Sequence, residues 1–217
     1  MPYSPVENMR SSKKKIDEGT INYSIDFSEN SKVKFTSSLL PNRITIKFRN
    51  SNTSNKIEGL LGNMNLTFIN KAKNKNCIIL VNLWGKKLYF QDSLTNSDLP
   101  NIYAGMPQIT IERTNEIVPY KGYQCKKAIA HYKDSSDRSF EILYTNDIDI
   151  ANPNINTPFE SIDGVMLKFS IILQKHIMNI SATAIKHEDI SMDEFSVPND
   201  YEKVPKRTID DLISLMQ

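Results

Sequence analysis

The feature that most constrains the fold is a period-two alternation of apolar and polar residues. In TINYSIDF, which begins at Thr20, Ile21, Tyr23, Ile25 and Phe27 share one face, because successive side chains of a strand point to opposite sides. RITIKFRN, which begins at Arg43, alternates in the same way. About ten such runs recur at roughly 10–15-residue spacing, with little helical periodicity. The pattern predicts a mainly β protein with one antiparallel sheet, curved or closed, and not alternating β and α elements.

Composition supports a folded domain and excludes some functions. The chain has 217 residues, of which 39% are hydrophobic and 24% charged, so it can bury a substantial core. The net charge of only +2 argues against a nucleic-acid partner, since such proteins cluster basic residues on one face. The sequence has no run of eighteen apolar residues, so no transmembrane helix is expected.

Three regions are predicted along the chain. Residues 1–18 are polar and predict a flexible arm, residues 19–205 a single domain, and residues 206–217 a short C-terminal helix. Thr208 is the predicted N-cap of that helix. Its apolar face is predicted to comprise Ile209, Leu212, Ile213 and Met216.

Turn residues punctuate the predicted strands. Lys121-Gly122 predicts a β-hairpin, SNTSN at 51–55 a turn, and SMDEF at 191–195 a single helical turn. NCIILVNLWGKKLYFQ contains Gly85-Lys86, which indicates either two strands joined by a tight turn or one long bent strand. Residues 92–108 form the longest predicted loop, with a short internal helix as an alternative.

Residues that could carry chemistry are few, and none forms a known catalytic pattern. Cys77 and Cys125 do not form a CxxC motif, so a disulfide and two buried thiols both remain open. The histidines have no HExxH spacing, and no GxSxG motif is present. We therefore predict no catalytic residue, metal site or cofactor. Trp84 is interpreted as a strand-end anchor, with a carbohydrate or partner contact as the alternative. The three histidines, predicted to lie at the surface, are His131, His176 and His187.

Four phrases in the second half of the chain resemble a known family. Gly122, Tyr123, Cys125, Lys126 and Ala128 form the first of them. The other matching residues are Glu141, Tyr144, Thr145, Pro158, Phe159, Gly164, Leu167, Phe195, Val197, Pro198 and Tyr201. As a set they resemble the Bacteroidetes-type cell-envelope proteins catalogued as domain of unknown function 4412.

This resemblance implies a fold like that of the LolA and LppX lipoprotein carriers. That fold is a single strongly curved antiparallel sheet, an incomplete barrel, with a few short helices on its concave side. Members usually carry a secretion or lipoprotein signal, so the resemblance implies a periplasmic or outer-membrane-associated protein whose leader is absent from this sequence. The family has no established catalytic residues, and none is carried over.

An incomplete barrel that is too wide for its own side chains leaves an apolar cavity. We therefore predict a non-enzymatic, monomeric binder or carrier of a hydrophobic small molecule, a lipid or an acylated protein. The alternative is an interaction module that docks a protein partner through a loop or a sheet edge, and a hydrolase ranks third. The predicted cavity-lining residues are Tyr23, Ile25, Phe27, Ile44, Ile46, Phe48, Leu66, Phe68, Phe140, Ile142, Tyr144, Leu167 and Phe169.

Overall fold

The computed structural model describes residues 15–27, 41–59, 62–73, 75–93, 102–103, 105–134, 138–173 and 176–216. Most of the predicted arm, residues 1–14, lies outside this range, as do residues 94–101 and 104 of the predicted long loop. Among the described residues, no helix is both long and apolar enough to cross a membrane.

The described chain forms one large β-sheet, so the predicted mainly β class is confirmed. The sheet is not closed, and its order is β12-β6-β5-β4-β3-β2-β1-β11-β10-β9-β8-β7. A 3-10 turn covers Met192–Phe195, and α1 covers Lys206–Met216. The strands are β1 Glu18–Phe27, β2 Arg43–Arg49, β3 Asn52–Gly59, β4 Met64–Lys71, β5 Asn76–Leu83, β6 Lys86–Ser93, β7 Ile109–Tyr120, β8 Tyr123–Tyr132, β9 Ser139–Thr145, β10 Val165–Leu173, β11 His176–Lys186 and β12 Glu202–Lys203.

The prediction of a purely antiparallel sheet is wrong at the edge formed by β12. The two residues of β12 pair with Leu88 and Tyr89 of β6 in parallel. Between β11 and β12, residues 187–201 run over one face of the sheet and bring the chain to β6 in the direction of that strand. All other strand pairs are antiparallel.

The two faces of the sheet have different covers. The inner face is defined by a row of directly opposed residues across six strands, whose side chains point to the same side. Residues 148–164 cover one part of this face through Ile148, Phe159 and Ile162. The helix α1 covers another part, where Ile209 and Ile213 pack with residues of β4, β5 and β6. The defining row is Ile21, Ile46, Asn55, Phe68, Ile79 and Phe90.

The opposite, outer face is covered by the 3-10 turn, which confirms the predicted helical turn but not its side of the sheet. Phe195 packs with Ile69, Ile78 and Leu80, which all point away from the inner face. Ser191 caps the turn by accepting a hydrogen bond from the Asp193 amide. The 3-10 turn and α1 therefore lie on opposite faces of the sheet, whereas the short helices were predicted to lie together on its concave side. The reason lies in β5, whose residues 77–81 are buried on both faces and so need two covers.

The ends of the predicted domain shift slightly. Ile16, in the predicted arm, forms a parallel bridge with Ile148, and β1 begins at Glu18. The last residues of the predicted arm are therefore part of the folded domain. At the other end, α1 begins at Lys206, and the Thr208 amide donates to the Pro205 carbonyl oxygen at 3.0 Å. Thr208 therefore lies inside the helix and is not its N-cap.

The structure tests three of the predicted turns. Lys121-Gly122 joins β7 to β8, which confirms that hairpin. Of the two alternatives for the apolar run around Gly85, the structure has two strands, β5 and β6. The predicted turn at 51–55 is too long, because β3 already begins at Asn52 and Asn55 lies within the sheet.

Candidate functional site

An apolar cavity of about 180 Å³ lies between the inner face and the segment that covers it. One wall is formed by inner-face residues of β1 to β5 with residues of β10 and β11. The other wall comes from residues 150–157 together with Ile102 and Tyr103. The cavity lies beside the region covered by α1, since its wall residue Ile79 also packs in the cluster that contains Ile209. It therefore occupies the part of the inner face that neither cover fills.

The wall opposite the sheet is fixed by one buried amide. Asn154 is 5% exposed, and its Nδ2 donates to the carbonyl oxygens of Ile162 at 2.7 Å and Gly164 at 3.0 Å. The Thr157 hydroxyl donates to the Asn154 carbonyl oxygen at 2.7 Å and accepts from the Phe159 amide at 3.1 Å. These hydrogen bonds lie within the segment and the start of β10, so the fold of the segment around Asn154 does not depend on a bond to a ligand.

An aromatic cluster anchors the same segment to the sheet. The Phe159 side chain is fully buried. It makes edge-to-face contacts with Phe169, at a centroid distance of 5.6 Å, and with Phe140, at 6.2 Å. Contacts of this geometry add to the area that the rings bury. The cavity is therefore bounded on both sides by packed structure.

The structure brings only some of the predicted lining residues to the cavity, namely Tyr23, Ile44, Ile46, Phe68 and Phe169. The prediction of a lining role is wrong for the others. Phe48, Ile142 and Leu167 are fully buried in solid core, because residues 148–164 fill the inner face there. Leu66 packs in the cluster under α1. The remaining residues, which also belong to the core around Phe159, are Ile25, Phe27, Phe140 and Tyr144.

The sequence prediction missed a polar end of the cavity. Thr53, Asn55 and Asn70 line it, and Thr53 lies directly opposite Asn70 in the sheet. Asn55 lies between Ile46 and Phe68 on neighbouring strands, so its side chain points into the same space. Its Oδ1 atom is buried and has no hydrogen-bond partner among the described residues. The period-two spacing of Thr53, Asn55 and Ile57 was the available signal, which the turn-like composition obscured.

The walls of the cavity carry no charge. Its lining residues in the described chain include no Asp, Glu, Lys, Arg or His. Burial, and secondarily Asp92, raises the pKa of the Cys77 thiol to about 12. Burial also raises the pKa of Tyr103 to about 12. Both groups are therefore protonated at neutral pH, and the cavity is a neutral, largely apolar environment.

The other candidate residues do not assemble into a reactive site. His131 is about half exposed and lies 3.4 Å from Glu112 Oε2, His187 is exposed, and the His176 side chain is outside the described set. In the described part of the chain, no group of three or more His, Cys, Asp or Glu residues could hold a metal ion. Cys77 and Cys125 are both buried and unbonded, which resolves the two alternatives in favour of thiols.

Trp84 does not anchor a strand, so that interpretation is wrong. Its side chain is 71% exposed at the tip of the β5–β6 hairpin. The backbone at Trp84 has a positive φ of 47°, as a tight two-residue hairpin turn requires. The Gly85 amide closes the turn by donating to Asn82 Oδ1 at 3.2 Å.

Fold and site together define a mainly β protein with a neutral apolar cavity between an open sheet and a covering segment. Its fold is similar to part of a solved structure of PNGF-II, determined in the C2 space group, with a TM-score of 0.55 and 19% sequence identity. The match covers 92% of this chain and 33% of that one, so the chain spans about a third of the length of PNGF-II. No protein-family model matches the chain, and neither does a curated protein.

Proposed function

We propose that this protein binds a small hydrophobic molecule in the cavity and acts as a non-enzymatic binder or carrier. The observation that supports this function is the cavity of about 180 Å³, bounded by the sheet and by an internally satisfied, aromatically anchored segment. An apolar cavity of about 150 Å³ is large enough to bind benzene. The ligand that fits is therefore an aromatic ring or a chain of about six carbons, or that part of a larger molecule.

The size of the cavity also sets the expected affinity. Burying a methylene group contributes about 0.8 kcal/mol, so six carbons contribute on the order of 5 kcal/mol. Before the costs of association, this corresponds to a dissociation constant no tighter than about 0.1 to 1 mM. A purely apolar ligand would thus bind weakly, and tighter binding needs a polar contact or a larger ligand that extends out of the cavity.

The same proposal includes a carrier-like fold and an envelope location. An open sheet whose inner face is covered by α1 and by residues 148–164 supports an arrangement like that of the lipoprotein carriers. On this basis we propose membership of the family catalogued as domain of unknown function 4412, with a periplasmic or outer-membrane-associated location. Detection of the full-length protein in the envelope fraction of its native cell would test the location.

Filling the cavity tests the function directly. Ile46→Phe adds volume to the cavity wall, whereas Ile129→Phe makes the same change on β8, outside the cavity lining. Toluene binding is measured by ligand-observed NMR titration. We expect saturable binding to the wild type and to Ile129→Phe, and a loss of at least about tenfold for Ile46→Phe, or ~1.4 kcal/mol. Absence of saturable binding to the wild type, or equal binding to the filled variant, would overturn the proposal.

A second candidate is protein docking through the free edge of β7. This strand has twelve residues at the end of the sheet, and Ile117 is 55% exposed. Its pairing register is broken between Arg113 and Ile117, and Pro119 removes an amide donor. Such interruptions protect an edge strand from pairing with other chains, so docking ranks below ligand binding. If a protein partner docks on this edge, Ile117→Lys should weaken that complex. If the edge is not used, the substitution should leave the complex unchanged.

A further inference from the structure

A polar groove of about 230 Å³ lies on the outer face of the sheet, between strands β2 to β5 and residues 193–198 of the segment that crosses this face. We call it the outer groove. We propose that it binds a small neutral compound with several hydroxyl groups, a sugar or a cyclitol. The outer groove and the apolar cavity lie on opposite faces of the sheet, so this site is independent of the proposed function.

The observation that carries this proposal is the hydroxyl group of Ser54. Ser54 is only 7% exposed and lines the outer groove, whereas its neighbours Thr53 and Asn55 line the cavity on the inner face. Its hydroxyl has no hydrogen-bond partner among the described residues. It differs from the Asn65 Oδ1 atom, which has no partner and no accessible surface, because the Ser54 oxygen can be reached from the groove. Since buried polar groups are nearly always hydrogen-bonded, this hydroxyl calls for a partner from outside the described chain.

A second hydroxyl group lies in the same floor. Thr67 of β4 faces Lys56 on one side and Leu80 on the other, and within the described part of the chain its hydroxyl also makes no hydrogen bond. Ser54 faces Ile69, two residues after Thr67 on the same strand. The two hydroxyl-bearing residues are therefore diagonal neighbours, which lie about 7–8 Å apart in an antiparallel pair. One ring-sized ligand can contact both.

The charges of the outer groove favour a neutral ligand over an ion. The lysine Lys47 lies 2.5 Å from the Glu194 carboxylate, measured from Nζ to Oε1. Lys56 lies 2.9 Å from Glu58 in the same sense. Two ammonium groups and two carboxylates line the groove, so an anion would meet the carboxylates and a cation the ammonium groups. These four lining residues, whose formal charges cancel, are Lys47, Lys56, Asp193 and Glu194.

A compound with several hydroxyl groups matches this mixture of donors and acceptors. A hydroxyl both donates and accepts, and an ammonium group has three donors. A ligand hydroxyl can therefore accept from Lys47 and donate to Glu194 without breaking their ion pair. The carbon skeleton of the ligand can pack on Leu80 and Pro198, which form an apolar part of the lining.

The size of the outer groove limits the ligand to about one ring. An apolar cavity of about 150 Å³ holds a benzene molecule, and the outer groove, at about 230 Å³, is about half as large again. It therefore has room for one six-membered ring together with its hydroxyl substituents. A longer sugar chain would have to extend out of the groove.

Three probes test the assigned class on the whole chain at pH 7. D-glucose, myo-inositol and inorganic phosphate are titrated separately, and binding is followed by two-dimensional NMR of the labelled protein. We expect saturable shift changes in the millimolar range with glucose, if the site takes sugars, or with inositol, if it takes cyclitols. Phosphate should cause no saturable change in the groove. The proposal is wrong if neither neutral compound binds at concentrations that saturate a millimolar site, or if phosphate binds more tightly than both.

Variants then locate the binding. Ser54→Ala and Thr67→Val each remove one hydroxyl with little change in size, and either one keeps the test if the other does not fold. Thr110→Val is the matched control, because it makes the same change at an exposed position of β7, outside the groove. We expect each single substitution to weaken binding of the neutral compound about fivefold, as the loss of one ordinary hydrogen bond does. The control should bind as the wild type does.

The outcomes for the two faces of the sheet can be separated. Both groove variants should still bind toluene as the wild type does, since the cavity is unchanged. If toluene does not bind the wild type but glucose or inositol does, the proposed function fails and the outer groove stands. Unchanged binding of the neutral compound after both hydroxyls are removed together, or an equal loss in Thr110→Val, would overturn the site.

Discussion

The Tyr23 hydroxyl donates a 2.9 Å hydrogen bond to the backbone carbonyl oxygen of Met166, although the strands that carry these residues are not neighbours. β11 lies between them, and the residue of β11 that faces Tyr23 is Ala182. Because alanine is small, the phenol ring can lie across β11 and reach β10. Both Tyr23 and Met166 line the cavity. This bond therefore ties together two parts of the cavity wall that the sheet itself does not pair.

Removing that hydroxyl should weaken the fold measurably. Tyr23 is only 3% exposed, so Tyr23→Phe loses a buried hydrogen bond and leaves the Met166 carbonyl with one partner fewer. We expect a loss of about 1 kcal/mol in the free energy of unfolding, measured from urea midpoints. Tyr89→Phe is the control, since its hydroxyl has no hydrogen bond within the described residues, and its change should stay within ~0.5 kcal/mol. Equal effects of the two substitutions would contradict the importance of the bond.

Gly164 marks the point where the covering segment turns back into the sheet. A Cβ at this position would lie 2.6 Å from the Thr145 carbonyl oxygen and 2.9 Å from the Tyr144 ring. The Thr145 carbonyl oxygen belongs to the backbone of a paired strand, so moving it aside would disturb the sheet. We expect Gly164→Ala to destabilise the protein by about 2 kcal/mol or more in thermal or urea unfolding. Gly105→Ala is the control, because nothing lies within 4 Å of the added methyl group, and it should be nearly neutral.

The buried thiols make stability depend on alkaline pH. Burial raises the pKa of Cys125 from 9.0 to about 11 and that of Cys77 from 9.0 to about 12. Between pH 9 and about 11, unfolded chains lose thiol protons that folded chains keep. The buried thiols therefore make their full contribution to the free energy of unfolding below pH 9, and that contribution decreases as the pH rises above 9. Urea unfolding at pH 8 and pH 10 should show this loss, and the double variant Cys77→Ala/Cys125→Ala should show a smaller one. An unchanged slope in the double variant would assign the effect to other groups.

The same burial predicts that both thiols are inert in the folded protein. A thiolate is the reactive form, and neither thiolate is populated at pH 8. Iodoacetamide should label Cys77 and Cys125 slowly at pH 8 and rapidly in 8 M urea, as measured by mass spectrometry. Fast labelling of the folded protein at either position would contradict their burial.

A substitution in the turn of the Trp84 hairpin should stabilise the protein. Positive φ values at Trp84 and Gly85, 47° and 83°, match the two central positions of a type I′ turn, for which Asn-Gly is the preferred pair. Because the tryptophan side chain is 71% exposed, little packing is lost on its removal. We expect Trp84→Asn to raise the free energy of unfolding by about 0.5–1 kcal/mol. The control Lys86→Asn, in the strand after the turn, should give no gain.

Local patterns predicted the local structure well. The alternation around Tyr23 and Ile46 gave both strands and their apolar face, and the apolar positions of α1 gave buried Ile209 and Ile213. The strand Asn52–Gly59 was hidden, because only one large apolar residue, Ile57, occurs in it. Its stability comes from strands paired on both sides, which a single segment cannot reveal.

The cavity was harder to predict than the strands around it. Alternation shows that Phe48 and Phe68 each lie on the apolar face of their own strand, but it does not show what covers each of them. Residues 148–164 cover Phe48 and leave Phe68 beside open space. That difference depends on contacts between segments far apart in the chain. Asn55 illustrates the same limit, since its position in an apolar wall follows only from the register with β2 and β4.

The sheet order has a consequence for synthesis of the chain. β1 to β6 lie side by side in chain order, as do β7 to β11, and among the described strands these two groups pair with each other only between β1 and β11. On the ribosome, the first strand made must therefore wait for one of the last. Until β11 is made, β1 presents a long unpaired edge, and such edges promote association between chains. Crowded nascent chains should be the form of this protein most dependent on chaperones.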